Sequence, residues 1–213
     1  FKNLEYFHQL YSPKLINVSL KNYKVIVSIW ICYSHFIWLC SKIMIKQLYR
    51  NLQQLFVPKS IKKNFIDISE NKKMILSDKI KDTYIPTISD NISAEKLDDE
   101  VSEHIEGWIF VDRIRVVPWL SKNINLNNLS ILEIGCGTGS SSITLAEQGS
   151  NVTGIDIHKE SLEIAKLRAD LYGLNIKFLE VSSINIDELE QDFDVIILYA
   201  TLEHLTVEER LNT

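Results

Sequence analysis

Five residues of this chain have types and a spacing that suit binding of a small ligand. Gly135, Gly137 and Gly139 alternate in a short loop, Glu133 precedes the loop by two positions, and Asp156 follows it. Glycine has no Cβ atom, so a glycine-spaced backbone can turn tightly and a ligand can lie against it. The first amides of a helix that follows such a loop lack intrahelical partners and face the same place. The pattern therefore predicts a ligand-binding edge.

The elements that must position these residues alternate regularly between strand and helix. Residues 131–134 form an apolar run that predicts a strand, and residues 140–148 predict a helix that stops at Gly149. The pattern then predicts, in order, a strand over 151–156, a helix over 159–172, a strand over 176–181, a short helix over 187–191 and a strand over 193–199. This alternation indicates an α/β fold with a doubly wound, mostly parallel sheet.

The end of the second strand narrows the kind of ligand. In a parallel sheet with right-handed crossovers, Gly135 and Asp156 lie at the same carboxyl edge. A carboxylate there can accept hydrogen bonds from the two hydroxyls of a ribose, which indicates a cofactor that contains a nucleoside. A dinucleotide loop would place its third glycine at Ser140, whereas this chain has it at Gly139. The spacing counts against an NAD-type oxidoreductase but leaves it as an alternative.

At this point the chain resembles the class I S-adenosylmethionine-dependent methyltransferases. Residues 132–139 (LEIGCGTG) match the first motif of that family, and residues 152–157 match the second. Residues 193–200, followed by 202–205, resemble the fourth-strand region of the small-molecule branch. The resemblance covers roughly residues 100–213. It implies a Rossmann-like fold of seven strands, of which four are readable here, so the sheet is expected to be incomplete.

The resemblance implies S-adenosylmethionine as the cofactor and a site made of nine residues: Glu133, Gly135, Cys136, Gly137, Gly139, Asp156, Ile157, Ser182 and Tyr199. Glu133 is expected to hold the loop and, directly or through water, the amino end of the cofactor. Asp156 is expected to bind the ribose, and Ile157 to pack on the adenine. The family often has an aspartate where this chain has Ser182. Cys136 is expected to be a small filler.

The implied activity is methyl transfer to a small-molecule or lipid acceptor. A non-catalytic domain that binds a membrane or a partner is a further alternative. His204 is the nearest titratable candidate for a general base, although an aligned acceptor often needs none. The nucleobase signature Asn-Pro-Pro-Tyr is absent at residues 199–202, which disfavours a nucleic acid substrate. No His or Cys spacing indicates a metal, and the acceptor atom and oligomeric state are not readable.

The N-terminal part differs in charge from the rest of the chain. Residues 1–81 carry 14 basic and 4 acidic side chains, whereas residues 82–213 carry 9 and 24. We therefore predict two regions, a basic, helical and partly apolar region over 1–95 and a methyltransferase domain over 96–213. Residues 25–41 lack charge, which favours a buried element but leaves weak membrane-surface association through residues 25–81 open.

Two stretches connect these regions. Residues 83–99 are the best candidate for a linker. From residue 98 to 120 apolar side chains recur at helical spacing, and this helix is expected to cover the cofactor loop, weakened at Gly107 and ended or kinked at Pro118. Three cysteines are too few for a disulfide framework, which favours a reducing, cytoplasmic location.

Overall fold

The computed structural model describes residues 14–20, 23–29, 57–88 and 93–212. Its strands are β1 (Lys14–Leu20), β2 (Tyr23–Ile29), β3 (Ser130–Ile134), β4 (Asn151–Asp156), β5 (Lys177–Glu180) and β6 (Val195–Tyr199). They form one sheet in the order β1-β2-β6-β3-β4-β5. Only the β1–β2 pair is antiparallel. The strands predicted over the second half of the chain are thus confirmed.

The N-terminal strands correct one expectation. The region was expected to be helical, yet β1 and β2 extend the sheet beside β6, with Val25 opposite Ile196 and Ser28 opposite Tyr199. A run of β-branched residues at 25–27 favours a strand. Residues 30–56, which include most of the uncharged run, lie outside the described residues.

The helices lie around this sheet. They are α1 (Lys59–Lys62), α2 (Glu70–Lys79), α3 (Ile85–Ile88), α4 (Ala94–Ser102), α5 (Trp108–Val111), α6 (Val117–Ser121), α7 (Ser140–Ala146), α8 (Lys159–Tyr172) and α9 (Val207–Asn212). Residues 183–189 form a kinked 3₁₀ segment in place of the helix predicted over 187–191, and Leu202–His204 form a short 3₁₀ turn.

The segment from Ala94 to Ser121 is helical throughout. Two five-residue π-helical stretches, Glu103–Gly107 and Asp112–Val116, join α4, α5 and α6. We call residues 94–121 the roof. Of the two outcomes expected at Pro118, an end or a kink of the helix, the end does not occur, because the π-helical stretch Asp112–Val116 runs directly into α6, which continues to Ser121. The roof packs on α7, the helix that follows the glycine loop.

The predicted linker over 83–99 is also largely helical. Residues 80–84 form a π-helical stretch that continues into α3, and α4 begins after Ser93, whose hydroxyl accepts a hydrogen bond from the Lys96 amide at 3.4 Å. A serine in that position satisfies one of the free amides of the first turn. The division at residue 95 stays a prediction. Across it, the Asn64 amide donates to Gln148 at 3.0 Å.

The core lies on both faces of the sheet. Ile131, Leu132 and Ile155 are completely buried. Ile131 belongs to a cluster with residues of α6 and α7, whereas Leu132 and Ile155 belong to a second cluster with Phe193 and Leu198. A third cluster joins the helices before the roof to α8, with Leu76, Ile80 and Ile164 fully buried. The described residues from 57 onward are therefore packed against the same sheet that carries the glycine loop.

Candidate functional site

The glycine loop begins where β3 ends and reaches the start of α7. Gly135 has a φ of +73° and Gly137 a φ of +52°, values at which a side chain on the residue would be strained. The amides of Gly135 and Cys136 both donate to the Ile155 carbonyl, at 2.8 and 3.0 Å. The loop is thus tied through its backbone to the neighbouring strand β4.

Asp156 lies where the sequence predicts, at the carboxyl end of β4 and beside the loop. Its Oδ2 accepts a hydrogen bond from the Gly137 amide at 2.8 Å, and its Oδ1 accepts one from the His158 amide at 2.9 Å. The side chain is 11% exposed. A carboxylate has about four acceptor positions. The two amides occupy two of them and the His158 ring, with Nδ1 3.2 Å from Oδ1, faces a third, so at least one is open to a ligand. The predicted proximity of Asp156 to the loop is confirmed.

The tip of the loop has room for a ligand. No atom lies within 4 Å of the position that a Cβ on Gly137 would take. Ile157, directly after Asp156, exposes 61% of its surface although it is a large apolar residue. An open backbone, a partly exposed carboxylate and an exposed apolar side chain together fit a ligand with a sugar and a flat apolar group.

Glu133 is buried between β3 and α7, the two elements that flank the glycine loop. Only 1% of the residue is exposed, and its two carboxylate oxygens accept hydrogen bonds from the hydroxyls of Ser141 and Ser142 in α7. Burial, opposed by these hydroxyls, raises the pKa of Glu133 to about 7. The geometry agrees with a role in holding the loop to α7. The role of Glu133 toward a ligand stays a prediction.

Cys136 is 5% exposed, and burial raises the pKa of its thiol well above the usual range. A thiol that stays protonated is a poor nucleophile, which agrees with the filler role. Ser182 is half-buried at the start of the 3₁₀ segment after β5, and Tyr199 is half-buried at the end of β6. The nine predicted residues thus lie near the end of β3, on the loop, or at or just after the ends of β4, β5 and β6.

The roof brings polar residues that sequence reasoning missed. Asp112 is completely buried, and among the described residues neither of its carboxylate oxygens has a partner with good hydrogen-bond geometry. Burial raises the pKa of Asp112 well above its usual value, and nearby Glu133 adds to the shift. The hydroxyls of Ser140 and Tyr199 lie close enough to oppose it. The signal in the sequence was a single acid among apolar residues of an amphipathic helix.

Arg168 joins the roof to the loop. This completely buried side chain on α8 donates from Nε to the Thr138 carbonyl at 2.9 Å and from Nη2 to the His104 carbonyl at 2.7 Å. The His104 ring also contacts the Thr138 hydroxyl, with Nδ1 and Oγ1 3.3 Å apart. Burial lowers the pKa of His104 to about 4, so the ring is neutral at pH 7.

His204 and one cavity are the other candidate features outside the nine predicted residues. His204 is exposed on the 3₁₀ turn after β6. A cavity of about 460 Å³ lies between residues 62–73 and the roof, lined by Phe65, Ile109 and Arg113 among others, and none of the nine predicted residues lines it. Within the described part of the chain, no group of His, Cys, Asp or Glu side chains could hold a metal ion.

The comparisons with known proteins agree with this site. Residues 131–213 match the family model described as a methyltransferase domain. A ubiquinone biosynthesis O-methyltransferase of Pseudomonas fluorescens (strain Pf0-1) is 32% identical over 90 residues, which cover 42% of this chain and 39% of that protein. The enzyme of the same name from Rickettsia prowazekii is 39% identical over 93 residues, covering 42% and 36%.

Among solved structures, the magnesium protoporphyrin IX methyltransferase from Synechocystis PCC 6803 with bound SAM is 27% identical, with a TM-score of 0.46, and the match covers 68% of this chain and 70% of that one. The chain spans about two fifths of the length of the first curated relatives that it matches. Residues 131–213 are therefore similar in sequence to methyltransferase domains.

Proposed function

We propose that the protein binds S-adenosylmethionine at the glycine loop and transfers its methyl group to a small-molecule acceptor. The observation that carries the proposal is the Asp156 carboxylate, which turns toward the loop and bonds the Gly137 amide at 2.8 Å. That bond sets the carboxylate beside the open backbone at Gly137. The two features suit a nucleoside and the chain attached to its sugar.

The residues of the site have separate tasks in this proposal. The free acceptor positions of Asp156 bind the ribose hydroxyls, the exposed Ile157 packs on the adenine, and Ser182 accepts or donates one hydrogen bond at the edge of the base. Tyr199 and Ala200 form the floor near the reacting sulfur. The cofactor supplies a methyl group on a positively charged sulfur. The carbon–sulfur bond breaks as the acceptor atom forms its bond to carbon, and the acceptor's proton leaves to solvent.

An oxygen nucleophile on a small molecule is the acceptor that the relatives support. Two of these relatives are named as O-methyltransferases and are 32% and 39% identical to this chain over 90 and 93 residues. Transfer to oxygen needs an aligned acceptor in a site that excludes water, and the completely buried Asp112 with the half-buried Tyr199 limits water at that end of the site.

Calorimetric titration tests the cofactor part of the proposal. We expect S-adenosylmethionine and S-adenosylhomocysteine to bind, and Asp156→Ala to weaken both by about tenfold or more, since a carboxylate that accepts ligand hydroxyls is lost. Asp170→Ala, at an exposed position of α8, is the matched control and should bind normally. Tighter binding of NAD than of S-adenosylmethionine would favour the oxidoreductase instead.

Association with a lipid surface remains a separate prediction. Among the lysines of residues 59–73, Lys72 donates to the Leu171 carbonyl and Lys73 pairs with Glu70 and Glu106, so both already have partners in the protein. Lys59 and Lys63 are exposed. No helix in the described residues has the length and apolar character needed to cross a membrane. Flotation of the full chain with anionic vesicles tests the surface association.

A further inference from the structure

The side chain of Thr201 lies between the tips of β3 and β6. Its Oγ1 is 3.0 Å from the Ile134 carbonyl oxygen, 3.1 Å from that of Tyr199 and 3.5 Å from that of Gly135. A hydroxyl has a single proton to donate, so it can satisfy one of these acceptors at a time. The Ile134 and Tyr199 carbonyls lie at nearly equal distances, so the hydroxyl bridges the last residue of β3, just before the loop, and the last residue of β6.

This bond complements the ties on the other side of the loop. Toward β4, the amides of Gly135 and Cys136 donate to the Ile155 carbonyl. Toward β6, the bond from Thr201 reaches the carbonyl of the adjoining residue, Ile134. The start of the loop is therefore held from both neighbouring strands, by backbone on one side and by a single hydroxyl on the other.

The Thr201 side chain also packs closely against Gly135. Three side-chain atoms of Thr201 lie within 3.0 Å of the position that a Cβ on Gly135 would take. The threonine thus fills the space that the missing side chain of Gly135 leaves. This close approach explains the glycine at position 135 independently of any ligand, and it leaves Gly137 as the open position.

The backbone before Thr201 is unusual. Ala200 has a φ of +54°, a left-handed conformation that a residue with a Cβ rarely adopts. Strain of this kind persists where the surrounding structure demands it, often at functional sites. Here it turns the chain sharply after β6 and brings the Thr201 side chain over the β3 tip, while the Thr201 carbonyl accepts the His204 amide at 2.9 Å and starts the next turn.

We propose that Thr201 is a positioning residue for the cofactor loop, which holds the Gly135 end of the loop in the shape that binds the nucleoside cofactor. The identity of the ligand in this inference rests on the proposed function. The contact between Thr201 and the loop rests on the geometry of Thr201 itself. Thr201 also joins the loop to the turn that begins the 3₁₀ helix at Leu202, so the loop and that turn share one hydroxyl contact.

Two variants separate the hydroxyl from the shape of the side chain. Thr201→Val keeps the volume beneath Gly135 and removes the hydrogen bond, whereas Thr201→Ser keeps the hydroxyl. Ser150→Ala is the matched control, because the Ser150 hydroxyl also donates to a backbone carbonyl, that of Leu126 at 2.7 Å, but lies just before β4, at the end opposite Asp156. All three are made in the full chain.

The first measurement needs no ligand. Amide hydrogen exchange over residues 135–139 should become about tenfold faster in Thr201→Val, as expected for loss of one hydrogen bond, and stay near wild type in Thr201→Ser and Ser150→Ala. Equal protection in wild type and Thr201→Val would overturn the inference. The second measurement is titration with S-adenosylhomocysteine, where Thr201→Val should bind about tenfold more weakly and Thr201→Ser within about threefold of wild type.

The two measurements keep the inference apart from the proposed function. If wild type binds neither S-adenosylmethionine nor S-adenosylhomocysteine, the proposed function fails, and the exchange result alone decides whether Thr201 holds the loop. If exchange rises in Thr201→Val while its affinity matches wild type, the positioning role is overturned. A fall in affinity in Ser150→Ala equal to that in Thr201→Val would also overturn it, since any loss of stability would then suffice.

Discussion

The glycine loop and the roof border the same site but are held in different ways. The loop is fixed through its backbone, with amides bonded to Ile155 and Asp156 and left-handed glycines at the turns. The roof is held by side chains, both apolar ones such as Ile109 and Leu120 and the Arg168 guanidinium that donates to the His104 carbonyl, and its own Asp112 is completely buried. A segment that is held through its backbone tolerates few residue types at fixed positions. A segment that is held through side chains can be held by many different combinations of residues.

The loop is where a single methyl group should have the largest effect. Gly135→Ala should lower the free energy of unfolding by about 4 kcal/mol, because the new Cβ is strained at positive φ and meets Thr201. Gly137→Ala has the same kind of backbone but open space around it, so the loss should be about 1 kcal/mol. Urea denaturation measures both. Equal losses would mean that packing against Thr201 contributes nothing.

Arg168→Met tests the connection between the two regions. The variant loses the bonds to the Thr138 and His104 carbonyls and leaves both buried, so we expect a loss of about 3 kcal/mol in the free energy of unfolding. Lys166→Met, on the exposed side of the same helix, should change stability by less than about 0.5 kcal/mol. A small loss at Arg168 would show that loop and roof are held independently.

The two regions should respond to pH in opposite directions. Burial raises the pKa of Glu133 from 4.5 to about 7, so the unfolded chain loses this proton first and stability falls as pH rises through that window. Burial lowers the pKa of His104 from 6.5 to about 4, so the unfolded chain gains this proton first and stability falls as pH drops. Each group contributes a change of about 2 kcal/mol between pH 5 and 7.

Single variants separate the pH dependence of stability due to Glu133 from that due to His104. Relative to wild type, Glu133→Gln should gain about 2 kcal/mol in the free energy of unfolding between pH 5 and 7, and His104→Gln should lose about the same amount. Denaturation midpoints at several pH values with constant m-values provide the measurement. Shifts of the same sign in both variants would contradict the opposite protonation of loop and roof.

The smallest effect is expected at Cys136. Because the thiol is buried and protonated, Cys136→Ala should leave the affinity for S-adenosylhomocysteine within about twofold of wild type and cost about 1 kcal/mol of stability for the lost volume. A loss of affinity well beyond twofold would show that the sulfur contacts the ligand. Calorimetry and urea denaturation answer the two parts.

The same contrast explains what the sequence could predict. Gly135, Gly137 and Asp156 were found because a backbone turn and a strand-end acid impose residue types at fixed intervals. Asp112 and Arg168 were not found, because their contacts join residues far apart in the chain and each looks like one polar residue on an amphipathic helix. The π-helical stretches of the roof change which side chains face inward by adding a residue to a turn, and no residue type marks them. Strands β1 and β2 were missed because short strand pairs are specified by their partner.

The position of Arg168 has a practical consequence for anyone who would trim the protein to its recognisable family segment. A polypeptide that starts at residue 131 would keep the arginine but lose the His104 carbonyl that accepts one of its hydrogen bonds, along with the apolar cover that Ile109 gives α7 and α8. A guanidinium would then face bulk solvent beside uncovered aliphatic groups. A fragment for crystallisation or screening should therefore keep the roof, and it should keep residues 14–29 as well so that β2 stays paired with β6.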